Sequence, residues 1–108
     1  PQDVDFIFDA RILPNPHWVE SLRDYSGLDR PVREWLEQDE SVERMVNDVL
    51  GFLKTWLPEF QLSQRSYVTV GIGCTGGRHR SVYLVDRLAS GLEPGFGDVL
   101  IHHRELQS

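Results

Sequence analysis

The chain is short of several residue types, and each shortage excludes something. It has one cysteine, Cys74, so it forms no disulfide within itself and no CxxC zinc site, and no metal site is expected. A lone thiol suits a reducing compartment, so a cytoplasmic setting is expected. The only lysine is Lys54, and none follows the glycines. A P-loop triphosphatase site is therefore not expected here, and no dinucleotide-binding fingerprint is read either. No apolar run approaches a membrane span, and no signal peptide is read. Basic residues are also few: 11 against 17 acidic ones, for a net charge of −6. That argues against a dedicated nucleic-acid binder, although it leaves room for a local basic patch. The sequence opens on Pro1 rather than methionine, so a segment of a longer protein is expected.

What is present is ordinary for one globular domain. The chain has 108 residues, with 40% hydrophobic and 26% charged, which is enough for a single core but not two. A single α/β domain over residues 1–108 is expected. Residues 4–10 read as a strand, with Val4, Phe6 and Phe8 on one face and Ile7 on the other. Two prolines two apart make 13–18 a loop. Pro31 suits a first helical turn, followed by Val32, Trp35 and Leu36 at helical spacing. Val42, Met45, Val46, Val49, Leu50, Leu53, Trp56 and Leu57 form the clearest helical stripe, which Pro58 is expected to limit. Residues 67–74 read as a second strand and 81–90 as a third helix, with Gly91 as its C-cap. A loop over 93–97 and a short strand over 98–102 complete the order. Strands alternating with helices imply a small, open, mainly parallel sheet with flanking helices, here expected as three layers. Ligands bind such sheets beyond the strand C-termini. Those ends would gather Asp9 and Arg11, the 74–80 turn, residues 102–104, and the proline loop carrying Asn15 and His17.

The central feature is Gly71-Ile72-Gly73-Cys74-Thr75-Gly76-Gly77-Arg78-His79-Arg80-Ser81. A strand runs into it and a helix runs out. A glycine-rich turn in that position brings backbone N–H groups and a helix N-terminus to one place, the geometry that holds a phosphate. Cys74, Gly77, Arg80 and Ser81 also fit C-x-x-G-x-x-R-S, the phosphate loop of the protein tyrosine phosphatases. In that chemistry a thiolate attacks, an arginine binds two oxygens, and a general acid protonates the leaving group. Asp9 is the candidate acid. Gly73 replaces the histidine usual before the cysteine, which weakens this alternative. A buried Cys74 at a strand end and a ligand contact both rank above a nucleophile. Each residue has a plainer reading too. Arg80 would pair with Asp86, Asp9 with Arg11, and His17 would stack in its loop. Trp18, Trp35 and Trp56 read as core or interface, and the acids from Glu34 to Glu43 as a solvated helix surface.

Two segments together resemble a known family. Phe8-Asp9-Ala10-Arg11-Ile12-Leu13-Pro14-Asn15-Pro16-His17-Trp18 and Gly73-Cys74-Thr75-Gly76-Gly77-Arg78-His79-Arg80-Ser81-Val82 are similar to the signature segments of the C-terminal domain of RapZ, the RNase adaptor protein. This is also called the YvcJ-type nucleotide-binding protein family. Gly27-Leu28-Asp29 and Tyr67-Val68-Thr69-Val70 fit between them, so the likeness covers nearly the whole chain. The resemblance implies a non-enzymatic domain that senses glucosamine-6-phosphate and binds small regulatory RNA. In enterobacterial members that RNA is presented to RNase E, and the full-length protein is a homo-oligomer. ATP or GTP belongs to an N-terminal domain, so no cofactor is implied for this one. The implied phosphosugar ligands are Asp9, His17, Cys74, Thr75, Gly76 and Arg80. The loop geometry adds Asn15, Gly77 and Ser81. Arg65, Arg78 and His79 are the implied RNA contacts. The chain lacks the basic tail of the enterobacterial members, with Arg104 the one arginine among its last six residues.

Overall fold

A computed structural model describes residues 4–63, 68–92 and 99–106. The elements run β1 (Phe6–Asp9), a short 3-10 helix (Pro16–Trp18), α1 (Arg30–Glu37), α2 (Glu40–Leu62), β2 (Val68–Cys74), α3 (Arg80–Gly91) and β3 (Val99–Glu105). The three strands form a parallel sheet in the order β1-β2-β3. Phe8 is opposite Ile72, and Asp9 opposite Gly73. Gly73 is in turn opposite Arg104.

The sheet advances in one direction, so two right-handed crossovers leave all the helices on one face. Phe6 meets Phe52 and Phe60 of α2 edge-on, with centroids 5.1 and 5.3 Å apart. A Cβ on Gly91 of α3 would lie 2.7 Å from Leu50 of α2, which puts these two helices side by side. The core fills the space between helices and sheet: Val32 and Leu36; Val42, Val46, Val49, Leu53 and Leu57; Val68, Val70 and Ile72; Leu84 and Leu88. Each such side chain contributes about 1.5–3 kcal/mol when fully buried. On the opposite face of β2, a Cβ on Gly73 would meet Leu106 at 2.4 Å, and one on Gly71 would meet Arg104 at 3.2 Å. The described domain therefore has two layers where three were expected, because both crossovers turn the same way.

Several boundaries also move. α2 passes through Pro58 to Leu62. Proline removes one helical hydrogen bond, but Phe60, two residues on, packs against Phe6 and holds the chain helical. Gly91 is the last helical residue rather than the cap, and Leu92 takes the cap position. β3 runs to Glu105, because its register with β2 extends as far as Cys74. Asn15 turns part of the expected proline loop into a 3-10 helix, its Oδ1 accepting from His17 N at 3.1 Å. Tyr67, Asp98 and the 93–97 loop lie outside the described residues.

Ion pairs clamp the helices. Tyr83 Oη of α3 donates to Glu37 of α1 at 2.9 Å, and Arg87 bridges to Glu43 of α2. Arg33 of α1 lies over the Tyr83 ring and bonds Asp86 at 3.0 Å. Asp86 is thus not the partner of Arg80. Among the described residues, no helix is long and apolar enough to cross a membrane.

Candidate functional site

Three segments meet at the C-terminal end of the sheet. The first is the 3-10 helix after β1, the second is 23–27, and the third is the turn 75–79 between β2 and α3. Gly76 and Gly77 take φ of +79° and +64°, the left-handed region where a side chain is strained. The resulting cleft has a volume of about 510 Å³ and is lined by Asn15, His17, Trp18, Arg23, Asp24, Thr75, Gly76, Arg78 and His79.

Backbone contacts hold the segments in place. Arg23 Nε donates to the His17 carbonyl at 2.9 Å, and Arg78 donates to the Asp24 carbonyl at 2.9 Å. His79 Nε2 lies 3.2 Å from the Arg23 carbonyl. Gly27 N donates to the Arg78 carbonyl at 2.8 Å. A Cβ on Gly27 would come within 2.2 Å of the His79 oxygen and 2.6 Å of Tyr83 N, so only glycine fits this approach. Burial pushes the His79 imidazole below its ordinary pKa, against the opposing pull of the Arg23 and Tyr25 backbone.

The backbone amides of Gly76, Gly77, Arg78 and His79 donate to no acceptor among the described residues. His79 is buried and Gly77 half-buried, where amides ordinarily find partners, while Gly76 and Arg78 are exposed. Together the four consecutive N–H groups, ahead of the 12-residue helix α3, form a row of donors suited to an anion.

Beneath the cleft lies a closed layer. Cys74 is 1% exposed; its Sγ is 3.1 Å from Ser81 Oγ and accepts from Ser81 N at 3.4 Å. The sulfur thus caps the first turn of α3. Arg80 is 3% exposed. It donates to the carbonyls of Arg11 and Leu13 at 2.8 and 3.1 Å, and to Thr75 Oγ1 at 2.9 Å. Its guanidinium thereby ties the turn after β1 to the turn after β2. Asp9 sits outside the cleft and is bound to Arg11 by side chain and backbone N–H, with a closest approach of 2.6 Å. The Arg11 side-chain hydrogen bonds, ahead of its backbone N–H, hold the carboxyl at about 2.

The structure thus brings Asn15, His17, Thr75, Gly76, Arg78 and His79 into one cleft. Cys74, Arg80 and Ser81 support it from below, Gly77 shapes the turn, and Asp9 lies to one side. Arg65 lies outside the described residues. His102 and Arg104 sit along β3 rather than at the cleft. Nothing local in 21–29 marks Arg23 and Asp24 as site residues; the packing of Gly27 brings that segment in. Gly71, Gly73 and Gly76 do stand at G-x-G-x-x-G spacing, but the first two are paired within β2. The turn-and-helix context of a dinucleotide fingerprint is therefore missing. No group of three or more potential metal ligands occurs among the described residues.

The RapZ C-terminal domain family matches the sequence over residues 1–107. Proteins called nucleotide-binding protein are similar throughout. One from Azotobacter vinelandii is 53% identical over 106 residues, which is 98% of this chain and 37% of that protein. Those from Ectopseudomonas mendocina and Pseudomonas syringae pv. tomato are 52% and 51% identical over the same shares. The chain spans 37% of the length of these relatives.

Proposed function

This chain belongs to the RapZ C-terminal domain family, and from that premise we propose that it is a phosphosugar sensor and RNA-binding adaptor domain of a cytoplasmic bacterial protein. The observation that carries the reading is the row of amides at Gly76–His79 in a cleft that also holds Arg78 and His17. The phosphate of glucosamine-6-phosphate lies against the amides and Arg78. Asn15 and His17 face the sugar from the other wall, and Asp9, beside the cleft, stays paired with Arg11. Arg80 braces the cleft and adds positive field from beneath. The RNA role rests on the family and on the cations of the same cleft. RNA and phosphosugar then compete, because two anions share few positive groups. A small regulatory RNA, a ribonuclease such as RNase E and further copies of the full-length protein are the proposed partners. Nucleotide binding, as in the relatives' names, is assigned to the part of those proteins outside this chain.

The phosphatase alternative is disfavoured on chemical grounds. Its nucleophile would be a thiol 1% exposed and engaged by Ser81. Its arginine is turned toward two carbonyls and Thr75. Its acid would be a carboxyl held at about 2, ionised and unable to protonate a leaving oxygen near neutrality.

Calorimetric titration with glucosamine-6-phosphate tests the reading. Arg78→Ala is expected to weaken binding by about 1.5–3 kcal/mol, the scale of a hydrogen bond to a charged group. Absence of heat with wild-type protein, in buffer free of phosphate and sulfate, would overturn it.

A further inference from the structure

Trp18 is an unusual neighbour for this cleft. It lines the cleft, yet the residue is 76% exposed. Its backbone is held in a capped turn, with Trp18 N donating to the Asn15 carbonyl at 3.2 Å. Pro16 is buried beneath it, Asn15 caps the 3-10 helix, and Val19 N closes the turn on the Pro16 carbonyl at 2.9 Å. The His17 ring meets the indole edge-on, with centroids 5.1 Å apart at 79°. An indole is thus held in solvent on a rigid turn, where little conformational entropy remains to be lost on binding.

The charges around it are selective. Arg11, Arg30, Arg33 and Arg87 are each bridged to a carboxylate. Arg23 and Arg78, which line the cleft with Trp18, have no ion-pair partner among the described residues. The rest of the lining is polar, through Asn15, His17 and Thr75, with the carboxylate of Asp24 among the cations. Among the described residues, Trp18 is the only apolar side chain lining the cleft, whereas the buried core of a protein interface is apolar over a wider area. An exposed aromatic face beside guanidinium groups that are bonded to carbonyls but to no described carboxylate instead matches single-stranded nucleic acid, where a base stacks on the ring and phosphates ride on the cations.

We propose that Trp18 is a stacking platform for an unpaired nucleobase of single-stranded RNA, whose flanking phosphates contact Arg23 and Arg78. This rests on the RNA-binding reading above and adds to it the mode of contact and the residue. It also gives an acidic chain a way to bind RNA with few cations, since part of the affinity is carried by a neutral ring.

The test uses the 108-residue chain, an oligoadenylate of about 12 nucleotides, and an abasic strand of equal length, followed by fluorescence anisotropy at low salt. Trp18→Ala is expected to weaken oligoadenylate binding about tenfold, and Trp18→Phe to restore most of it. The abasic strand is expected to bind wild type and Trp18→Ala equally. The salt dependence of Trp18→Ala stays that of wild type, because no phosphate contact is lost, whereas Arg78→Ala lowers it. The exposed position predicts an unchanged thermal midpoint for Trp18→Ala, which checks folding. Undiminished oligoadenylate affinity in Trp18→Ala, or an equal loss on the abasic strand, overturns the stacking role and leaves the RNA reading standing. A changed sedimentation coefficient with unchanged RNA affinity reassigns Trp18 to a protein contact. If wild type binds glucosamine-6-phosphate but neither strand, the RNA reading itself falls, and this proposal with it.

Discussion

Arg80→Ala separates two ways of building this site. The sequence suggests an arginine aimed at a bound anion, whereas the structure gives its guanidinium three protein acceptors. Deleting it strips the Arg11 and Leu13 carbonyls of a charged donor and releases Thr75 Oγ1. Hydrogen bonds to charged groups contribute about 1.5–3 kcal/mol each, and a buried acceptor left unmade costs about 1–3 kcal/mol. The three bonds share one side chain, and water reaches the exposed Arg11, so the effects do not add. The expected loss is about 2–4 kcal/mol, a large part of the roughly 5–15 kcal/mol stabilising a typical domain. In a chain of this size that lowers the thermal midpoint by about 10 °C or more. Arg80→Lys keeps the charge, but one ammonium does not span the same acceptors, so an intermediate loss is expected. Urea denaturation at pH 7 measures the stability. Glucosamine-6-phosphate titration below the variant's midpoint measures the affinity. A brace predicts a clear stability loss with a smaller change in affinity. Unchanged stability with affinity collapsed would refute the brace and make Arg80 a direct ligand.

Three further outcomes are expected. Wild-type protein shows no hydrolysis of aryl phosphates or phosphosugars, so Cys74→Ser has no turnover to abolish; robust turnover lost in that variant would establish the phosphatase. Gly27→Ala drives a methyl into the His79 carbonyl and Tyr83 N, so both stability and phosphosugar affinity fall by more than tenfold in equilibrium constant, read by denaturation and calorimetry. Asp9 and His79 both titrate lower when folded, so each stabilises above its unfolded pKa and loses that contribution as pH falls. Stability should decline below about 6.5 through His79 and again from about 4 toward 2 through Asp9, with His79→Gln and Asp9→Asn each flattening its own window in pH-dependent melts.

Much of this protein is legible in its sequence, for local reasons. The strand into the glycine turn, the helix out of it, the helical stripe from Val42 to Leu57 and the parallel order follow from periodicity and chain connectivity, which act over a few residues. The two signature segments identify the family, and a glycine-rich turn with arginines between a strand and a helix suggests an anion beside Gly76 and Gly77. Other features depend on residues far apart in the chain. Pro58 stays helical because Phe60 finds Phe6, and β3 is long because β2 offers it partners as far as Cys74. Arg80 points to Arg11 and Leu13, nearly 70 positions away, which no spacing within its own turn reveals. Arg23 joins the cleft only because Gly27 lets one backbone lie against another. The order of residues along the chain sets which groups are available and roughly where each lies in the fold order. The tertiary packing decided which of them face the cleft and which hold it from below, because hydrogen bonds and close approaches are set by three-dimensional distance.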